Sequence, residues 1–170
     1  MWTPQKSKGK ETSKIRQKVK EWTLGKGLDL GCGLDKISQD AIGIDLVPFP
    51  GVDFVLDIRD LYIFKNGEFD YIFSSHVLED IEDTTDTLRE WWRLIKLHGF
   101  LILYLPHKRF YPNIGEEGSN PAHKHDFEPS DIKSILDRIC YYKLDACEER
   151  NQDDEYSFLL IIRKTGDLKK

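Results

Sequence analysis

From residue 27 onward, short apolar runs alternate with turn residues and with stretches of helical period. Runs at 27–30, 42–46, 53–56, 70–74 and 100–105 predict strands. The clearest helix covers about 84–97, where Leu88, Trp91, Trp92 and Ile95 share one face. Gly99 follows it, in a place where a left-handed cap is common. A further helix is expected after Pro129-Ser130-Asp131, turning Ile132, Ile135, Leu136 and Ile139 inward. Two more strands, 142–150 and 156–163, flank Asn151-Gln152-Asp153-Asp154 and read as an antiparallel pair. Near the start, Ile15, Val19 and Trp22 recur at i, i+4, i+7 and predict a short helix over 12–23. Residues 106–128 form the longest irregular stretch, longer than a simple connection needs.

This order predicts an α/β fold: a mostly parallel, seven-stranded sheet ending in an antiparallel C-terminal hairpin. Only Leu34 to Ala41 separates the first strand's turn from the second strand. A parallel crossover ordinarily takes a dozen residues or more, so the first crossover helix is expected to be shortened. The domain is placed at 24–170, behind a basic arm and helix at 1–23.

At 170 residues, with 32% charged and 39% hydrophobic positions, the chain has the makings of a buried core. No apolar run reaches the roughly 20 residues needed to span a bilayer, and the first residues lack the apolar core of an export signal. Three scattered cysteines make no disulfide framework. A cytoplasmic, reducing location without a membrane partner is expected. Charge is uneven: Lys6, Lys8, Lys10, Lys14, Arg16, Lys18, Lys20 and Lys26 face only Glu11 and Glu21 within the first 26 residues, although the whole chain carries −5. Such an arm can attract an anionic substrate or nucleic acid, or simply be solvated. The acidic body does not favour nucleic acid.

The chemistry concentrates at three strand ends. Leu28-Asp29-Leu30-Gly31-Cys32-Gly33 runs an apolar strand into a glycine-flanked turn, where backbone can approach a ligand closely. Ile42-Gly43-Ile44-Asp45 ends in a carboxylate able to accept from both hydroxyls of a ribose. Phe54-Val55-Leu56-Asp57 repeats the arrangement. In open α/β sheets, ligands bind at this carboxyl edge. A nicotinamide-type Rossmann site would need a third glycine and a full helix to hold a pyrophosphate; this segment has neither.

With those residues in view, the chain resembles the class I S-adenosylmethionine-dependent methyltransferases, in their small-molecule, type 11-like branch. LDLGCG at 28–33, IGIDL at 42–46 and VLDIRDL at 55–61 look like its first three motifs, in order. FDYIFSSHVLEDIED at 69–83 and LREWWRLIKLHGFLILYLP at 88–106 look like its fourth strand and its fifth helix–strand unit. The resemblance implies a Rossmann-like methyltransferase fold and S-adenosyl-L-methionine as cofactor; no metal is expected, since no other clear ligand set accompanies His123, His125 and Asp126. It implies that Asp29, Gly31, Cys32 and Gly33 line the methionine and ribose, that Asp45 and Leu46 meet the ribose, that Asp57 and Ile58 meet the adenine, and that Ser74 and Ser75 edge the sulfonium end. The sequence departs from the family at Leu34-Asp35, where a third glycine is usual, and at Leu97-His98-Gly99, where Pro-Gly-Gly is usual.

Methyl transfer asks the protein mainly for orientation and desolvation, with a base only where the acceptor must lose a proton. Histidine suits that task near neutrality. The candidates are His76 after the fourth strand, His107 after the fifth, and His123 and His125 in the long loop, which is expected to close over the acceptor. Glu79, Asp80 and Tyr111 are further candidates for touching substrate. A small-molecule acceptor is expected. RNA or protein methylation, and a non-catalytic cofactor-binding role, stand as alternatives.

Overall fold

The computed structural model describes residues 11–152 and 154–170. Among them seven strands make one sheet: β1 Gly27–Leu30, β2 Ile42–Asp45, β3 Phe54–Val55, β4 Phe69–Ser75, β5 Ile95–Pro106, β6 Cys140–Arg150 and β7 Ser157–Leu168. Their order is β3-β2-β1-β4-β5-β7-β6. The first five run parallel, and β7 pairs antiparallel with both β5 and β6. The chain steps outward from β1 in one direction to β3, then restarts at β4 in the other. That reversal opens a crevice at the carboxyl ends of β1 and β4, the switch point of a doubly wound sheet.

Three helices dress the sheet: α1 Glu11–Ile15, α2 Thr84–Leu94 and α3 Pro129–Ile139. One face packs Leu101, Leu103, Leu105, Leu160 and Ile162 against Leu88, Trp91 and Trp92 of α2 and Ile132, Leu136 and Ile139 of α3. The other packs Ile102, Tyr104, Leu159 and Ile161 against Ile15, Val19, Ile37 and Ala41. Because β5 and β7 are covered on both sides, their sequences read as unbroken apolar runs and not as alternation. Each tryptophan finds a partner for its indole N–H: Trp91 donates to the Ile58 carbonyl at 2.8 Å and Trp92 to that of Gly166 at 3.0 Å. The buried Lys164 ammonium donates to the carbonyls of Trp92 and Ile95, each at 3.0 Å, tying β7 to the end of α2 and the start of β5.

Several boundaries differ from the sequence reading. Helix α2 stops at Leu94, and Ile95 already opens β5, so the helix expected to reach 97 is cut short. Gly99 is not a left-handed cap; His98 takes the positive φ, +69°. Gly99 is required for space, since a Cβ there would lie 2.6 Å from the Asp70 carbonyl oxygen. Strand β5 starts earlier than 100 because Ile95 pairs with Phe69 of β4, and β7 runs on past 163 because its antiparallel pairing with β6 continues to Leu168. The helix expected over 12–23 is α-helical only through Ile15 and continues as turns, yet Ile15 and Val19 are buried as their spacing requires.

The shortened first crossover contains no helix at all. A loop of residues 31–41 takes its place, held from both sides. Asp29 accepts from the Ile37 N–H at 2.6 Å. Arg16, reaching from the N-terminal segment, donates to the carbonyls of Ile37 and Lys36 at 3.2 and 2.9 Å and pairs with Asp35. Of the basic arm, Lys6, Lys8 and Lys10 lie outside the described residues. Among the rest, Lys14, Arg16, Lys18 and Lys26 pair with acids of the body.

Candidate active site

At the end of β1 the backbone turns through two residues of positive φ, Gly31 at +74° and Gly33 at +53°. The N–H groups of Gly31 and Cys32 both donate to the Ile44 carbonyl, at 2.8 and 3.2 Å, which folds the turn against β2. The two glycines answer different demands. A Cβ on Gly31 would lie 2.3 Å from Cγ2 of Val77, whereas a Cβ on Gly33 would meet nothing within 4 Å. Gly31 is needed inside the protein; Gly33 keeps clear the space outside it.

Asp45 is fixed beside that space. Its Oδ2 accepts from the Gly33 N–H and its Oδ1 from the Val47 N–H, both at 2.9 Å. Each oxygen retains a further lone pair. Leu34 and Leu46 stand 64% and 65% exposed, unusual for leucines beside a strand end. Asp57, at the end of the next strand, is gripped by Arg59 at 2.5–3.0 Å, and that guanidinium holds its carboxyl below the ordinary range. The structure therefore brings Gly31, Cys32, Gly33, Asp45 and Leu46 together at one strand edge, with Asp57 at the neighbouring end. Four of the expected side chains face inward, those of Cys32, Ile58, Ser74 and Asp29. Ile58 is buried in the core, and the Cys32 thiol is buried with its pKa pushed up to about 12. The Ser74 hydroxyl donates to the Leu30 carbonyl at 3.0 Å, tying β4 to β1. Asp29 is buried, and desolvation raises its pKa to about 7.

A second group lies at the end of β4. His76 has a positive φ of +53°, a strained backbone for a residue with a side chain. Its N–H donates to the Tyr104 carbonyl at 2.8 Å, and its Nε2 lies 2.8 Å from the Ser157 hydroxyl. Burial pushes its pKa down to about 3, so the ring is neutral. The 3-10 turn Leu78–Asp80 follows. The 107–127 loop is pinned onto that turn: the N–H groups of Lys124 and His125 both donate to the Glu79 carbonyl, at 2.7 and 3.1 Å. Its base is closed where the Lys108 N–H donates to the Phe127 carbonyl at 2.9 Å. His123 is buried, with Nε2 3.8 Å from Glu79 Oε1. His125 lies nearer the rim, its Nε2 3.1 Å from the Glu82 carbonyl and its ring stacked on Phe127. His107 packs against Phe158, with Nδ1 accepting from the Arg109 N–H. Pro106, His107, Lys108, Tyr111, His123 and His125 border a narrow surface crevice.

Sequence reasoning missed Glu11, Tyr156 and Ser157, which complete the wall around His76. Glu11 lies 145 residues from Tyr156 along the chain, and no local pattern marks such a meeting. Among the described residues no group of three or more His, Cys, Asp or Glu side chains is disposed to hold a metal ion.

The family model for the methyltransferase domain matches residues 28–103, from the first strand through the core of the fifth. Over that stretch, just under half of its length, the chain is similar to a methyltransferase domain. Its fold agrees with that of a SAM-dependent methyltransferase from Archaeoglobus fulgidus, with a TM-score of 0.69, 16% identity and coverage of 90% of this chain and 92% of the other. An S-adenosylmethionine-dependent methyltransferase from Mesorhizobium loti superposes at 0.68, with 17% identity and 89% and 96% coverage. The 1,6-didemethyltoxoflavin-N1-methyltransferase of Burkholderia thailandensis superposes at 0.67, with 14% identity and 95% and 80% coverage. None of the curated proteins matches the sequence. Among the described residues no helix is long and apolar enough to cross a membrane.

Proposed function

We propose that this methyltransferase acts on a small-molecule acceptor, with the cofactor across the glycine turn and the acceptor beneath the 107–127 loop. The space kept clear at Gly33, the oriented carboxylate of Asp45 and the exposed Leu34 and Leu46 fit a nucleoside: a sugar to accept from, and apolar rims for a purine to cover. In this reading the backbone of Gly31, Cys32 and Gly33 flanks the methionine and ribose, Asp45 accepts from the ribose hydroxyls beside Leu46, Asp57 meets the adenine and Ser75 borders the sulfonium end, while the buried Asp29 and Ile58 support the site from behind. Ser74 serves by holding β4 against β1. The bound cofactor supplies a methyl group already activated by a sulfonium charge.

The observation that carries the small-molecule reading is enclosure. His76 and Glu79, after the end of β4, are covered by the 107–127 loop with its His123, by the N-terminal segment and by Tyr156. A folded macromolecule does not reach into such a place, whereas the Burkholderia enzyme of the same fold was crystallised with a small heterocycle and S-adenosylhomocysteine. RNA recruitment through the basic arm draws less support, because Lys14, Arg16, Lys18 and Lys26 are engaged with the body. His125 and His123 are the first candidates for a base, then His76 and His107.

Calorimetry tests the cofactor half. S-adenosylmethionine should bind the wild-type chain, and Asp45→Ala should weaken it about tenfold or more, since hydrogen bonds to a charged acceptor contribute roughly 1.5–3 kcal/mol. An unchanged dissociation constant would remove Asp45 from the site.

A further inference from the structure

The enclosure at the end of β4 is lined with acceptors that have nothing to accept. Glu79 is 1% exposed, and its Oε2 has no hydrogen-bond partner among the described residues. The same is true of Asp80 Oδ1, Ser75 Oγ and Glu11 Oε2. These atoms come from two chain segments, β4 with its following turn and the N-terminal helix. His123 Nε2 stands 3.8 Å from Glu79 Oε1 and 3.9 Å from Asp80 Oδ1, and His76 Nδ1 stands 4.0 Å from Glu79 Oε1, all beyond hydrogen-bonding range. Leaving a buried acceptor unpaired costs about 1–3 kcal/mol, more when it is charged. Gathering three carboxyl groups adds mutual repulsion.

Such a place suits a ligand that donates hydrogen bonds and carries positive charge. The walls agree. Tyr111 and Tyr156 lie ring to ring at 4.9 Å and present aromatic faces, which attract cations. The protein already seats one ammonium at the rim: Lys14 Nζ is 3.0 Å from Glu11 Oε1 and 5.3 Å from the Tyr156 ring centroid. An acceptor bearing a carboxylate or phosphate at this point would meet oxygen against oxygen.

We propose that this cluster binds the amino group of the acceptor, and that the methyltransferase methylates an amine nitrogen. The assignment rests on the small-molecule reading above and narrows it. The ammonium gives one proton to the Glu79–Asp80 carboxyl pair. The freed nitrogen lone pair then forms the N–C bond as the methyl–sulfur bond breaks; sulfur keeps that electron pair, and the positive charge passes from sulfur to nitrogen. Burial holds the pKa of Asp80 up at about 6 and that of Glu79 well above its usual value, which makes both better proton acceptors than ordinary carboxylates.

Benzylamine and benzyl alcohol share a skeleton and differ in the group tested. Each should be titrated into the full chain, with and without S-adenosylhomocysteine, following heat and the imidazole NMR resonances of His76 and His123. Benzylamine should bind at least tenfold more tightly than the alcohol and move both resonances. Glu79→Gln should erase that preference while S-adenosylmethionine binds as before. Should Glu79→Gln fail to fold, Asp80→Asn at the half-buried rim should reduce the preference instead. Equal binding of the two probes, or a preference that survives in the folded variants, overturns the assignment. So does Mn²⁺ alone moving the same resonances while benzylamine leaves them still. A wild-type chain that binds no S-adenosylmethionine refutes the cofactor site itself; normal cofactor binding without amine preference refutes only this inference.

Discussion

At the scale of single residues, the two glycines of the first turn separate fold from function. Both have positive φ, so alanine at either place costs roughly 1–2 kcal/mol of backbone strain. At Gly31 the added methyl also strikes Val77, with nowhere to go, whereas at Gly33 it enters open space. Gly31→Ala should therefore lower the melting temperature sharply. Gly33→Ala should melt only slightly lower and yet lose affinity for S-adenosylmethionine; a fully retained dissociation constant would show that the open space is not where the cofactor lies. Asp29 invites a second test. Its pKa is raised from 3.8 to about 7 by desolvation, so the folded chain holds a proton that the unfolded chain has released between those values. Stability should then fall as pH rises from about 4 to 7. Asp29→Asn, whose amide oxygen can still accept from the Ile37 N–H, should lack that decline. By pH 8 the gap between the two curves in urea should reach on the order of 4 kcal/mol; parallel curves would mean Asp29 is ionised throughout.

Elements in this molecule are short, and what positions them is often another part of the chain. The loop that replaces the first crossover helix has no internal ladder of its own. Arg16 ties it down from the N-terminal segment through two carbonyls and Asp35, while Ile15 and Val19 bury Ile37 and Ala41 behind it. Arg16→Ala should cost about 1–3 kcal/mol in denaturant unfolding and should also weaken S-adenosylmethionine, because the loop carries the outer wall of the glycine turn. If stability drops while the cofactor constant holds, the clamp supports the fold only. On the opposite face, Trp91 has a comparable duty, holding the Ile58 carbonyl and with it the strand end that carries Asp57. Local pattern explains how much of this could be read in advance. Strand positions, both long helices and the glycine turn follow from period and turn chemistry. The end of α2 did not, because Leu94-Ile95 looks equally apolar in helix and strand, and pairing of Ile95 with Phe69 decided the matter.

For the molecule as a whole, legibility falls with separation along the chain. The proposed cofactor edge gathers residues of the first 60 positions at three successive strand ends, so the motifs point to it. The acceptor enclosure gathers Glu11, His76, Glu79, His123 and Tyr156, and only the middle three carried any signal, as histidines or acids near a strand end. Their partners were set by tertiary contact alone. The sheet order has one more consequence. The last of these seven strands along the chain, β7, occupies an interior place between β5 and β6. Until it is synthesised, a nascent chain displays the bare edge of β5, with Leu101, Ile102 and Leu103 ready to pair with any passing strand. Insertion of β7 seals that edge and, in the same motion, delivers Tyr156 and Ser157 to His76. Birth of the acceptor enclosure thus coincides with escape from aggregation, and a chain halted before Ser157 lacks both.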